Sequence, residues 1–222
     1  MKVILVAWVL VCAIATSATA LEFKKQTKDG KDIFLVTGVF EPGCASSLAR
    51  TIDRAGHIDE VWLSSPGGSV NDGMAVGRKI RTLQLATRIP NGANCDSICA
   101  FAFLGGVVRD IDPGGKYGVH MFSGWCDVER KERIYLGIKS ALGKVGCNKS
   151  TAAGLAEVIV DIGREEEQQS AITARKMADY LMEMEVSLRL LVPNFETGVA
   201  CGPTNRLSRE ELVSYNVINA AR

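Results

Sequence analysis

The sequence has little histidine, no surplus of either charge, and no apolar run long enough for a transmembrane helix. Two histidines among 222 residues, with no Cys-x-x-Cys pair, leave a zinc site without its usual ligand pattern, so no metal is expected. Lysine plus arginine number 26 against 25 for aspartate plus glutamate, and losing Lys2 with an N-terminal leader makes the balance 25 to 25. That balance argues against bulk nucleic-acid binding, which needs clustered cationic surface to displace counterions. The apolar stretch from Val3 to Ala15 falls short of the roughly 20 residues a spanning helix needs, and nothing after it comes as close. Internal repeats and low-complexity tracts are missing too. A hydrophobic content of 47% and a charged content of 23% belong to an ordinary globular chain and exclude extensive disorder.

The first 20 residues have the composition of an export signal. Lys2 supplies the positive region, Val3 to Ala15 the apolar region, and Ala18-Thr19-Ala20 the small residues at positions −3 and −1 of a cleavage site. Residues 1–20 are therefore read as a signal peptide and 21–222 as a single domain. Its 222 − 20 = 202 residues suffice for one full core and are too few for two comfortable ones. The expectation is an exported protein, periplasmic or secreted, with no stable membrane insertion after cleavage. Cys12 falls inside the signal, and Val11 before it is not small, which disfavours lipidation. Cys44, Cys95, Cys99, Cys126, Cys147 and Cys201 remain. An even count in an exported chain favours disulfides, and six thiols allow 15 full pairings. Cys126 and Cys147 bracket one segment and are the first choice of pair.

Periodicity predicts an α/β chain. Glu22 to Gln26 and Ile33 to Phe40 flank Lys28-Asp29-Gly30 as a hairpin, with Asp-Gly as its turn signal. Gly43 to Ala55 has helical spacing, and Val61-Trp62-Leu63 reads as a buried strand that stops at Ser64-Ser65-Pro66-Gly67-Gly68-Ser69. From Val70 the pattern is helical again, through Met74, Val76, Ile80 and Leu83. Thr87 to Ile89, Val107 to Ile111 and Tyr117 to Phe122 read as strands, and Ile98 to Leu104 as an apolar helical segment. Strand, turn and helix alternate at βαβ intervals, which implies a mostly parallel sheet with covering helices. Helix formers dominate from about Ala152 to Val192, with Glu165-Glu166-Glu167 as a solvated face. Ser123 to Ser150 reads as an insertion.

Three segments carry candidate chemistry. Ser65-Pro66-Gly67-Gly68-Ser69, between a strand and a helix, lets backbone approach a ligand closely and can form half of an oxyanion hole; the plainer reading is a tight turn. In Asn94-Cys95-Asp96-Ser97-Ile98-Cys99, Ser97 or Asp96 is either a helix N-cap or, for Ser97, a nucleophile with the Ile98 N–H beside the oxyanion. Tyr117-Gly118-Val119-His120 ends an apolar strand in a histidine that is structural on its own and interesting only alongside the other two segments. His57 reads as a loop residue.

In this order the three segments resemble the Clp protease proteolytic subunit, within the Clp protease/crotonase superfamily. The spacings are 97 − 68 = 29 from second glycine to serine and 120 − 97 = 23 from serine to histidine. The tail Arg206-Leu207-Ser208, followed by Glu210-Glu211-Leu212 and Tyr215, is similar as well. The likeness covers about Phe34 to Met121 firmly and Gln169 to Ile218 loosely. It implies a mostly parallel sheet with repeated ββα units flanked by helices, plus a long C-terminal helix. It also implies peptidase chemistry without a cofactor: Ser97 attacks, His120 shuttles the proton, and the Gly68 and Ile98 N–H groups hold the oxyanion. The third position matches Asn194 where the family has aspartate, with Glu196 as a nearby substitute. Export separates the chain from a cytosolic ATPase ring, so small or already unfolded peptides are the expected substrates. Trimer-based homo-oligomers are a family trait. Cys95 and Cys99 are expected to tie the nucleophile helix to its neighbours. Two other readings stand beside this one: a catalytically inactive relative acting as a peptide- or protein-binding module, and a crotonase-like acyl-coenzyme A enzyme using Asp96.

Overall fold

The computed structural model describes residues 20–121, 135, 136, 139, 149–195 and 203–220. Cys126, Cys147, Cys201, Glu196 and most of the signal and insertion segments lie outside that set. Two strands open the fold, β1 (Glu22–Lys28) and β2 (Lys31–Phe40), paired antiparallel with Lys28 opposite Lys31. The two-residue connection Asp29-Gly30 has φ of 52° and 75°, the left-handed pair that a tight hairpin requires and that Asp-Gly supplies. Helix α1 (Cys44–Ala55) follows, burying Cys44, Leu48 and Ile52 at four-residue intervals. Strand β3 (Glu60–Gly68), helix α2 (Val70–Thr82), strands β4 (Ala86–Ile89) and β5 (Asn94–Asp96), and helix α3 (Ile98–Phe103) complete the middle of the chain. After β6 (Arg109–Ile111) and β7 (Lys116–Val119) come the 35-residue helix α4 (Lys149–Glu183), α5 (Leu191–Phe195), β8 (Asn205–Arg206) and α6 (Arg209–Ser214).

The architecture is mixed α/β with a mostly parallel sheet and a long helix in the C-terminal part. Among the described residues two ββα units are visible in the element order, β1-β2-α1 and β4-β5-α3. The eight-stranded sheet forks at β3. Its first half, Glu60 to Trp62, pairs with β4, which continues to β6, while Ser65 farther along pairs with Cys95 of β5, and β7 and β8 follow. One apolar cluster lies under the fork. Phe34, Leu48, Leu63, Phe101, Phe103, Tyr180 and Val217 are all at most 1% exposed in it.

Several expectations need correcting. Strand β3 does not stop at Ser64 but runs through Pro66 to Gly68. Proline is tolerated because it lies in a bulge of β3 itself, where Ser65 and Pro66 together stand opposite the single residue Gly38 of β2 and no regular ladder donor is required. The polar triplet Asn94–Asp96 is a strand, held between β3 and β7. The long helix ends at Glu183, nine residues before Val192, where Glu185 turns left-handed (φ 57°). Glu166, expected to be solvated, is 8% exposed, while Glu165 and Glu167 face water.

Candidate functional site

All three chemistry-bearing segments reach the C-terminal ends of adjacent parallel strands. β3 ends in Gly67-Gly68, β5 runs into Ser97, and β7 runs into His120; these strands neighbour one another in the order β3-β5-β7. Parallel pairing puts their carboxyl ends on one edge, about 4.8 Å apart per strand.

Ser97 occupies the turn between β5 and α3 with φ 58° and ψ −126°. That is a costly conformation for a residue with a Cβ, and it makes no N-cap: the side chain bonds no helix amide. The sharp strand-to-helix turn seats Ser97, half-buried, at the head of a helix whose six residues are all buried. The Ser97 N–H donates to Gly118 O (2.9 Å) in β7, which fixes the turn against the strand that carries His120. Ile98, the first helical residue, has an amide for which helix geometry provides no acceptor.

Gly67 lies directly against this serine. A Cβ built on Gly67 would stand 2.6 Å from Ser97 Cβ and 3.1 Å from its Oγ, so glycine is required here by close approach as well as by its φ of +107°. The amide of Gly67 is taken. Ser65 Oγ accepts it at 3.0 Å while donating to Gly38 O at 2.6 Å, bracing the glycine turn against the β2 residue that faces the bulge. Gly68 differs. The ladder pairs it with Phe40, and Ser69 N–H donates to Phe40 O (2.7 Å). In that register the Gly67 carbonyl faces β2, so the Gly68 N–H of the same trans peptide faces the opposite way, toward the β5 side.

His120 Nδ1 lies 2.9 Å from Met121 O. A carbonyl only accepts, so Nδ1 carries a proton, and the tautomer this contact selects has its lone pair on Nε2. Among the described residues no hydrogen bond joins this ring to the Ser97 hydroxyl. Asn194 is buried on α5 at 2% exposure. Asp96 is engaged elsewhere: Arg206 of β8 binds its carboxylate with both terminal nitrogens, Nη2 at 3.0 Å from Oδ2. This pair crosses directly over Gly118, where a Cβ would collide with both side chains, which explains the glycine before Val119-His120. Both carboxylate oxygens are thus committed to Arg206, which weakens the acyl-coenzyme A reading.

The disulfide expectation is corrected in part. Cys95 and Cys99 pair with each other rather than with neighbouring elements, and Cys44 is a free, buried thiol pushed up to about 11 by burial and the nearby Asp72. Cys44 lines a cavity of about 380 Å³ with Glu41, Ser47 and Arg50, beyond the carboxyl end of β2. Among the described residues no group of His, Cys, Asp and Glu is placed to hold a metal ion, and no helix is long and apolar enough to cross a membrane.

No family model matches the sequence, and no curated protein matches it. Solved structures similar to the chain include an alanine mutant of a membrane-bound stomatin-specific protease. It is 13% identical, with a TM-score of 0.48 over 83% of this chain and 75% of that one. A second mutant of that protease, in complex with a substrate peptide, is 14% identical, with a TM-score of 0.46 over 83% and 71%.

The spacing of the glycine, serine and histidine segments pointed to the elements of this edge. Two contributors gave no sequence signal, the Met121 carbonyl and the Asp96–Arg206 pair. The first is backbone, and the second joins residues 110 positions apart.

Proposed function

We propose that the chain is an exported serine peptidase of the Clp protease/crotonase type, acting on small or already unfolded peptides. The observation that carries this is the strained Ser97 turn, seated against Gly67 and at the carboxyl ends of three neighbouring parallel strands. Ser97 Oγ attacks the scissile carbonyl, and His120 Nε2 takes its proton and returns it to the leaving amine. The Gly68 and Ile98 amides receive the oxyanion charge, each such donor being worth roughly 3 kcal/mol of barrier lowering. Met121 O holds the histidine tautomer, and Asn194 is the candidate for the third position. Without a carboxylate there, the imidazolium is less stabilised and turnover is slow, a loss of up to about 10⁴ relative to a full triad. Catalytic hydrogen bonds are commonly loose before substrate engages, so the Ser97–His120 contact is expected to close on binding.

A fluorophosphonate probe tests this. The parent protein should form a covalent adduct located on Ser97 by peptide mass spectrometry, and Ser97→Ala should form none. Equal labelling of both proteins, or of neither, overturns the reading. The missing Ser97–His120 hydrogen bond favours a second reading, a silent relative that binds peptides in the same cleft. Peptide affinity that survives Ser97→Ala, with no adduct in the parent, would establish it.

A further inference from the structure

We propose that the Cys95–Cys99 disulfide is a positioning element for Ser97, closed during oxidative folding and sealed from reductants afterwards; the catalytic part of this rests on Ser97 being the nucleophile. The cross-link brackets the serine symmetrically, two residues before it and two after, joining the middle residue of β5 to the second residue of α3. The Cα atoms of Cys95 and Cys99 are 5.1 Å apart, whereas four extended residues reach about 13 Å, so the bond holds the chain doubled back over the turn.

Loop length argues against a mainly global role. A cross-link stabilises chiefly by removing denatured-chain entropy, and a separation of four residues gives nearly the smallest loop available. What so short a loop does constrain is the local backbone. Ser97 needs that constraint, because its φ of 58° with ψ of −126° persists only where the surroundings over-determine it. Gly118 O holds its amide from one side and Arg206 holds Asp96 from another. The disulfide closes the remaining freedom, between the preceding strand and the following helix.

Burial decides between staple and switch. Cys95 and Cys99 are both 0% exposed, and thiol–disulfide exchange requires an attacking thiolate to reach a sulfur. Native reduction is therefore blocked. Formation belongs to folding, when the Cys95 and Cys99 thiols give two electrons and two protons to an external disulfide, which leaves as a dithiol.

The test compares the parent with Cys95→Ala/Cys99→Ala. In the folded parent, hours with dithiothreitol followed by alkylation and mass spectrometry should leave Cys95 and Cys99 unmodified, with the Ser97 adduct forming at an unchanged rate. The double variant should fold, show faster amide exchange in peptides covering residues 94–100 than in those covering β2, and phosphonylate Ser97 about tenfold to hundredfold more slowly. Its probe-saturation constant should stay within about twofold, since the loss falls on reacting geometry rather than binding. Unchanged exchange over 94–100, ready alkylation of the native parent, or parental adduct rates in the folded variant would each overturn the proposal. If the parent itself forms no adduct, the peptidase reading fails and the exchange arm still decides whether the bond positions the turn. Should the double variant not fold, Cys95→Val/Cys99→Ala, which refills volume, replaces it; failure of both to fold makes the bond a plain structural cross-link and overturns the proposal.

Discussion

Ser97 is held where its own backbone would rather not be. A serine with φ near +58° carries a Cβ in a region that only glycine enters freely, at a cost on the order of 1–3 kcal/mol. If the conformation serves chemistry, removing the Cβ should stabilise the protein while abolishing reactivity. Ser97→Gly is thus expected to raise the melting temperature by about 2–4 °C, corresponding to about 1 kcal/mol in a chain of this size, and to lose the fluorophosphonate adduct. Differential scanning calorimetry against Ser97→Ala, which keeps the Cβ, isolates the backbone part. A Ser97→Gly protein less stable than Ser97→Ala would mean that the turn is unstrained. Gly67 behaves oppositely: its φ of +107° and the 2.6 Å approach to Ser97 Cβ leave no room for a side chain.

At the scale of elements, local chemistry shows which pieces of the fold are legible from sequence. The Asp29-Gly30 turn, the Leu48/Ile52 spacing of α1 and the apolar α3 segment each state their conformation in adjacent residues. Strand β5 does not, because Asn94–Asp96 is short and polar and takes its form from partners on both sides. The far half of β3 is not legible either, because Ser64-Ser65-Pro66-Gly67-Gly68 has the composition of a turn, and only a bulge at Ser65-Pro66 against Gly38 lets it stay in the sheet. The candidate site was legible as three motifs in order; the Cys95–Cys99 pairing was not, since six thiols carry no pairing information. One ion cluster ties these strands at the other end of the sheet. Glu60 of β3 accepts hydrogen bonds from Arg88 of β4 (Nε, 2.8 Å), Lys31 of β2 and its own strand's Trp62 (Nε1, 2.8 Å). Burial alone would raise this carboxyl, but the three donors outweigh it and hold it at about 2 against an ordinary 4.5. A depressed folded-state value means that the stabilisation is present above pH 4.5 and drains away as pH falls toward 2. The shift corresponds to at most about 3 kcal/mol. Glu60→Gln should therefore be destabilised at neutral pH and lose less stability than the parent between pH 5 and pH 2.5, as followed by urea denaturation. Parallel pH profiles would remove Glu60 from the account.

For the whole molecule, closure depends on a buried cation that the C-terminal segment neutralises with backbone alone. Arg109 in β6 is 1% exposed, and burial, reinforced by Arg81, pushes its guanidinium down to about 10. It donates to the carbonyls of Gly106 (2.9 Å), Asn216 (2.8 Å) and Val217 (2.9 Å). The same segment pairs along β6: Asn219 Oδ1 accepts the Arg109 amide at 2.7 Å, Asn219 Nδ2 donates to Val107 O, and the Ala220 amide reaches Arg109 O. Deleting residues 216–222 would take away two of the three acceptors and leave the guanidinium with the Gly106 carbonyl alone of the three. Such a loss costs about 3–5 kcal/mol, a large part of the roughly 5–15 kcal/mol that holds a domain together. Arg109→Met should consequently change sign with context. In the full chain it strands three carbonyls and destabilises; in the truncated chain it removes the under-compensated charge and restores part of what the deletion cost. A double-mutant cycle by chemical denaturation reads this directly, because the two changes share a partner and cannot add. Additive effects would show that the C-terminal residues stabilise only through Val217 and Ile218 in the core, with Arg109 a bystander.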